Sequence, residues 1–551
     1  MIVNYTSKKI IVIFIQALFL VLSSSFGYAQ GINVQGLSEQ LRENLGNRIE
    51  REHIFQNDTI EDEFMGISAL LARFYARRNY YPAWITNYGP SPQVDALIRV
   101  IRQANREGLK PDEYNLGAIE DKLREIRRAQ EMKTPINSST LISLDILLTE
   151  AFLNYSSHLL DGRINPEKVG ASWYPNRYEV DPVLLLQNTL ETNTIEQTLS
   201  NLIPKDQRYV RMKQALAHYR DIAARGGWNS IPDGLKLKKG DRGTRIDTLR
   251  ARLITEGYLD PYLSTNEDKF DDALEQAVIK YQASHGLKAD GVVGRDTLAS
   301  INIPVDERVR KIELNMERLR WLPKELGNRH VFINIPNFEL DFVENDRTII
   351  TMRAVVGKYS DPSPILSSEI TYLVLNPSWH VPPSIARSEI IPSLRNDPSY
   401  LAKNNIKVYK IVDGNRVEIN PDTVDWTQVS GKNPNYKFRQ RPGARNVLGR
   451  IKFIFPNPFD VYLHDTSSPE LFGRSTRTFS HGCLRVQKPI ELAEYLLQGD
   501  IEWTPEILAS AINKRVERTV WLTEPVPIHI AYLTAWVDDY GSIQFRNDIY
   551  G

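Results

Sequence analysis

The chain lacks three things. Only one of its 551 residues, Cys483, is a cysteine, so an intrachain disulfide is excluded. Lys+Arg and Asp+Glu balance at 68 each, which removes the global field that a nucleic-acid-binding protein carries. Beyond residue 30, no stretch approaches the ~20 apolar residues that span a bilayer. The apolar and charged fractions, 42% and 25%, are those of a soluble globular protein. At this length one core does not suffice, and two to four domains are expected.

The first thirty residues stand apart. Lys8 and Lys9 precede an acid-free apolar run, Ile10–Leu22, followed by Ser23–Ser25 and the small-x-small triplet Gly27-Tyr28-Ala29. That is the layout of a secretory signal, with cleavage expected after about Ala29 and a mature net charge near −2. An uncleaved anchor helix is the alternative, and the run of 13 residues is short for it. No cysteine follows the run, so a lipoprotein anchor is excluded. A lone thiol sent to an oxidising compartment is a liability unless buried or used.

After a polar, weakly patterned stretch (30–60) that reads as a linker or frayed helix, apolar spacing is helical over 61–230, as in Leu144-x-x-Leu147-Leu148-x-x-Ala151-Phe152. Breaks fall at Tyr81-Pro82, Lys110-Pro111 and Asn165-Pro166, and no nucleophile–base pair stands out, so this is read as a helical scaffold. Residues 235–302 hold three short helical patterns, with Asp241 a candidate cap for the first. From His330, short β-rich runs separated by Pro, Asn, Asp and Gly predict a mainly antiparallel β domain over 328–525. It is interrupted by a large insertion at about 382–443 of mixed, lid-like character. Residues 526–551 read as an extended tail. The fold class is multidomain α+β.

Two stretches carry chemistry: Val461-Tyr462-Leu463-His464-Asp465 and Ser480-His481-Gly482-Cys483-Leu484-Arg485-Val486. Strand alternation puts Tyr462 with His464 on one face, and Cys483 with Arg485 on one face. Gly482 permits close approach of backbone to a ligand. An imidazolium beside a thiol lowers its pKa and supplies a thiolate, and the imidazole can then protonate a leaving amine. Amides at Gly482 and Cys483 can stabilise an oxyanion. Two other readings stay open: a zinc site of His464, His481 and Cys483, and a purely structural role for all three.

The sequence Tyr-Leu-His-Asp-Thr, followed by Phe-Ser-His-Gly-Cys-Leu-Arg-Val, resembles the signature of the YkuD-type L,D-transpeptidases. The order of parts, Asn376-Pro377-Ser378-Trp379-His380-Val381-Pro382 and the Arg441–Arg450 stretch are similar to the YcbB branch. The punctuation of 235–302 (Tyr281-Gln282, Gly286-Leu287, Asp290-Gly291-Val292-Val293-Gly294) resembles the peptidoglycan-binding type 1 domain. The resemblance implies a three-helix peptidoglycan-binding bundle beside a YkuD-like catalytic domain with an inserted capping subdomain. It implies Cys483 as nucleophile, His464 as proton acceptor and donor, His481 and Ser480 supporting the cysteine loop, and Gly482 with Cys483 as oxyanion hole. Many members carry asparagine where this chain has Arg485; the YcbB branch uses arginine there. Tyr462, Arg485, Trp379, His380, Arg441 and Arg450 are candidates for the substrate groove.

The implied reaction releases D-alanine from a tetrapeptide stem and joins the resulting acyl group to an acceptor stem, giving a 3→3 crosslink. The implied partners are peptidoglycan stem peptides and glycan, with carbapenem acylation of Cys483 and association with cell-wall synthesis enzymes. The implied chemistry calls for no metal or cofactor, and the expected location is the periplasm. An L,D-carboxypeptidase or peptidoglycan hydrolase using the same thioester competes with this reading, as does a non-catalytic wall-binding protein.

Overall fold

The helical spacing of the first part of the chain becomes helices at Ile67–Arg77, Pro92–Arg102, Leu116–Glu131, Ser138–Asp161, Pro182–Thr192 and Ile195–Leu202. The expected linker is corrected, because Val34–Phe55 is a helix whose Leu37 and Leu41 join the same core. In this computed structural model, residues 32–55, 66–166, 173–174, 180–263, 268–412, 415–429 and 436–551 are described; the expected signal segment lies outside them. The chain forms two compact units, one from residues up to Leu160 with Glu179–Ile203, the other from Asp161–Tyr178 and Pro204–Gly551. In the first, Leu144, Leu148 and Phe152 bury one face of the long helix. Asp145 is buried beside them and fully used. It accepts from the Tyr75 hydroxyl (2.6 Å) and from the amides of Ala83 (3.0 Å) and Trp84 (2.8 Å). A buried carboxylate with three donors holds a fold together.

Two features of the expected scaffold are placed elsewhere. The helix Gln207–Ala224 belongs to the second unit, packed against Val305–Arg320 and Ala535–Val537. Trp173–Tyr174, inside a stretch read as helical, adds a short parallel strand beside Ile365–Leu366. Helical periodicity reports a buried face and not the partner that buries it.

In the second unit, helices Thr244–Thr255, Asp272–Ser284 and Arg295–Ile301 form a small bundle around Leu249, Leu253, Leu274, Val278 and Tyr281. Its sequence punctuation has a structural cause. The Gln282 amide donates to Val292 O (2.9 Å) and accepts from Gly291 N (2.9 Å), where φ is +72°. The glutamine thus ties down the Asp-Gly turn, and a positive φ favours glycine there. Asp241 does not cap the first helix. Its carboxylate accepts from Lys238 N within the preceding turn, and Gly243 takes the cap position.

Eight strands of a ten-stranded sheet form a closed circuit in the C-terminal region: β1 (Arg329–Asn334), β2 (Glu339–Glu344), β3 (Arg347–Gly357), β4 (Ile365–Leu375), β5 (Ile451–Ile454), β6 (Leu463–His464), β7 (Leu484–Val486) and β8 (Arg518–Ala531). Their order is β5-β6-β7-β3-β2-β1-β8-β4, and β4 pairs with β5 to close the circuit. Closure leaves these strands without a free edge. Pairing is antiparallel except for β6–β7 and β8–β1. The buried faces of all eight strands share one core, which includes Ile333, Phe342, Leu373, Phe453, Leu463, Leu484 and Ile528. The helices Pro489–Leu496 and Pro505–Asn513 add Leu492 and Leu508 to it.

The boundary expected at 525/526 is corrected, because β8 runs through it and lies between β1 and β4. The register shift between Trp521 and Val526 accommodates Pro525 within this strand as a bulge.

The insertion has its own core of Trp379, Ile390, Leu394, Leu401, Val408, Trp426 and Phe438. Its sheet runs in the order Asn415–Ile419, Ile406–Val412, Tyr436–Gln440, Trp379–His380. Between Trp379–His380 and Ile406–Val412, a helical stretch widens into a π-turn at Ala386–Ile390. Pro392 follows in the same stretch and crowds the carbonyl four residues back, at Ser388. The wider turn relieves that crowding. Among the described residues no helix is long and apolar enough to cross a membrane.

Candidate active site

The site is built on the outward faces of β5, β6 and β7. Ile451, Phe453, Leu463, Leu484 and Val486 point into the core, and alternation leaves Lys452, His464 and Arg485 facing away from it. Register then aligns these three. Lys452 pairs with His464, and His464 with Arg485, so a cation flanks the imidazole on each neighbouring strand. Truncating Leu463 or Leu484 to alanine would cost about 2–5 kcal/mol and loosen this platform.

Cys483 precedes β7, beside Tyr462, whose carbonyl accepts from Leu484 N (3.2 Å). Three contacts hold its loop. Ser480 Oγ donates to Cys483 O (2.5 Å), Ser363 Oγ donates to Gly482 O (2.7 Å), and Gly357 N donates to Ser363 Oγ (2.9 Å). Gly482 has φ +105°, while an added Cβ would meet nothing closer than 3.7 Å. Backbone conformation, not crowding, requires the glycine. Among the described residues, neither the Gly482 nor the Cys483 amide has a protein acceptor.

A cavity of about 910 Å³ opens over this platform. Cys483, His464, Tyr462, Arg485, Ser480 and His481 border it, together with Trp379 and His380. The first helical stretch of the insertion adds Ile385, Ser388 and Glu389 to its wall. Trp379 serves twice, since it also packs in the insertion's core.

The electrostatics correct one expectation. Burial raises the Cys483 thiol above its usual range, against hydrogen bonds from the Tyr462 main chain and phenol and the pull of Lys452 and Arg485. His464 is 5% exposed; burial, with Arg485 and Lys452, pushes it down to about 3. Burial therefore disfavours the charged form of each group, the thiolate of Cys483 and the imidazolium of His464. His464 Nδ1 donates to Asp465 O (2.5 Å), because a carbonyl only accepts. In the neutral ring Nε2 then carries the lone pair. Asp465 is fixed in turn by the amides of Arg450 (2.8 Å) and Thr466 (2.7 Å).

His481 is turned to another task. Its Nε2 lies 2.9 Å from Glu389 of the insertion and 3.0 Å from Lys358 Nζ, so its tautomer selects one of the two. It links the cysteine loop to the insertion. Among the described residues no three His, Cys, Asp or Glu side chains gather as a zinc site requires. Arg441 and Arg450 are corrected as groove residues: both are exposed and neither borders the cavity. Arg450 serves the site through its main-chain N–H instead. The sequence reading missed Lys452, whose ammonium sits 3.7 Å above the Tyr462 ring. A charged residue between buried Ile451 and Phe453 signals an outward face, but not which strand lies beside it.

Residues 328–527 match the YkuD family, described as the L,D-transpeptidase catalytic domain. The chain carries an L,D-transpeptidase catalytic domain. This transpeptidase domain is accompanied by matches to the "Scaffold domain" at 69–216 and to the "Putative peptidoglycan binding domain" at 242–301. A curated protein of Haemophilus influenzae, described as "Putative L,D-transpeptidase", is 32% identical over 270 residues. The match covers 48% of this chain and 53% of that protein, so the chain spans about half the length of the relative. Among solved structures, an L,D-transpeptidase from Xylanimonas cellulosilytica aligns with 54% of this chain and 98% of its own, at 15% identity and TM-score 0.18. One from Stackebrandtia nassauensis aligns with 55% and 95%, at 11% identity and TM-score 0.20.

Proposed function

We propose that this protein is an exported L,D-transpeptidase that makes 3→3 peptidoglycan crosslinks through a thioester on Cys483. The observation that carries the reading is the single thiol of the chain, bordering a 910 Å³ cavity with a neutral His464 whose ring is oriented by Asp465 O. In the first step His464 Nε2 takes the thiol proton as sulfur attacks the carbonyl of the third stem residue. The amides of Gly482 and Cys483 receive the oxyanion, each contributing about 3 kcal/mol. The C–N bond to D-alanine then breaks, and the proton on His464 passes to the departing amine. In the second step the side-chain amine of an acceptor stem attacks the thioester, loses a proton to His464 and restores the thiol.

Because the thiol is neutral at rest, proton removal belongs to the attack itself, and the positive field of Lys452 and Arg485 lowers its cost. Both cations border the cavity, and Arg485 Nε is buried with no protein partner. A substrate carboxylate would satisfy that donor. Cleavage after about Ala29 and a periplasmic location complete the proposal, with carbapenems acylating the same sulfur.

The test is incubation of the purified protein with tetrapeptide muropeptides, read by mass spectrometry. Crosslinked dimers and free D-alanine are expected, and Cys483→Ala should give neither. Tripeptides without dimers in the presence of acceptor would shift the reading to an L,D-carboxypeptidase. Crosslinking undiminished in Cys483→Ala would sink the thioester.

A further inference from the structure

A second cavity, of about 490 Å³, shares no lining residue with the one over Cys483. It lies on the outward face of β1, β2 and β3, bounded by Arg208 and Arg211 of the helix Gln207–Ala224 and by the C-terminal segment Trp536–Arg546. Its volume falls in the ~300–1,000 Å³ range of small-ligand sites.

The groove sets three arginines, Arg208, Arg211 and Arg546, against four carboxyl groups, Glu339, Asp341, Asp538 and Asp539, and so is close to balanced. Arg211 reaches Asp539 (2.8 Å) and the Asp538 carbonyl (3.0 Å). Arg208 is paired with Asp206 (3.1 Å) and lies over the Phe332 ring (4.1 Å). Arg546 donates to Asn337 Oδ1 (2.8 Å) and lies over the Trp536 ring (4.8 Å). Such a lining has little net attraction for a phosphate or for a free amine, each of which needs an excess of one sign.

What the groove does offer is hydrogen-bonding capacity beside aromatic surface. Glu339 and Asp341 stand two residues apart on β2, so their side chains leave the same face about 7 Å apart. Among the described residues each carboxyl has one hydrogen-bonding partner, the Asn337 amide for Glu339 and the Thr351 hydroxyl (2.6 Å) for Asp341. Acceptor capacity on both remains for a ligand. Burial raises both carboxyls, and Asp341 raises Glu339 further. Groups that resist carrying two full charges side by side are suited to exchanging hydrogen bonds with hydroxyls. Trp536 and the fully exposed Tyr540 supply flat surfaces on which the apolar face of a sugar ring can rest.

The groove also touches the wall-binding bundle. Arg546 donates to Ser284 O (2.8 Å) at the end of the helix Asp272–Ser284, and Phe545 packs on His285 at 5.2 Å. We infer that this groove is a saccharide subsite that holds a peptide-free N-acetylhexosamine chain against the outer face of the β-barrel. The choice of an N-acetylated sugar rests on the peptidoglycan reading; the need for a neutral polyol rests on the groove alone. The C-terminal segment thereby becomes a glycan clamp, acting apart from the site that handles stem peptides.

The test is calorimetric titration of the full-length protein with an N-acetylglucosamine tetramer, comparing wild type with Asp341→Asn and Tyr540→Ala. Wild type should bind, and each variant should bind about tenfold more weakly with its melting temperature kept. Tyr540 is solvent-exposed, so the fold survives its truncation. Carbapenem acylation of Cys483 should proceed at the wild-type rate in both variants. No binding by wild type, or equal binding by all three proteins, overturns the subsite; the latter places the sugar on the bundle. Tighter binding of inorganic phosphate or an acidic peptide than of the tetramer overturns the neutral-ligand assignment. Loss of acylation in wild type counts against the transpeptidase reading and leaves the sugar result to stand by itself.

Discussion

The bundle and the barrel each bury a histidine, and the two rings make opposite use of burial. His285 stacks on Tyr281 at 3.7 Å, with Nδ1 2.8 Å from the Tyr281 carbonyl, and burial lowers its pKa far below the usual range. His464 is buried as deeply, also uses Nδ1 on a main-chain carbonyl, and is lowered to about 3. By burial and pKa alone they are the same residue. The difference is what lies beside them: His285 adjoins the rings of Tyr258, Tyr281 and Phe545, whereas His464 borders a cavity that also holds a thiol. A perturbed histidine is a candidate base only where a substrate can reach it.

The sharpest way to break this comparison is to make the same change in both. His464→Gln should slow acylation of Cys483 by about 10²–10⁴-fold while leaving the melting temperature nearly unchanged. His285→Gln should do the reverse, costing about 1–3 kcal/mol of stability with acylation per folded molecule intact. Stopped-flow acylation and thermal melts read the two effects. Equal loss of rate in both variants would remove His464 from the chemistry.

A smaller effect tests the neutral resting pair. Because burial holds the Cys483 thiol above its usual range, the thiolate fraction at pH 7 is low and grows with pH. Iodoacetamide should therefore react slowly at pH 6 and about tenfold faster for each unit up to pH 8. A rate independent of pH over that window would mean a preformed thiolate–imidazolium pair. The smallest expected change is at Arg441→Ala, whose exposed side chain lies outside the cavity. Turnover there should stay within about twofold of wild type, as for surface substitutions in general, and a tenfold loss in a steady-state assay would return Arg441 to the groove.

Much of the barrel was legible because strand alternation is a local property. The runs around Val331–Ile335, Glu339–Val343, Thr348–Val356 and Lys452–Phe455 each became a strand with small shifts at the ends. The pairing of those strands was not legible. That β8 sits between β1 and β4, or that Lys452 lies opposite His464, depends on contacts far apart in sequence. The same limit separates Arg485 from Arg441. Arg485 shares a strand with the cysteine loop, so local reading placed it at the site; Arg441 follows a strand of the insertion and was assigned by analogy alone.

The sequence by itself left a single thiol to propose as nucleophile, and it determined which faces of each strand are apolar, since alternation is written residue by residue. Tertiary structure decided the direction in which burial shifts Cys483 and His464 and the identity of the cations beside His464. It also decided that the insertion walls the cavity. Those properties arise from burial and from fields of groups on neighbouring strands, and neither exists until the strands are paired.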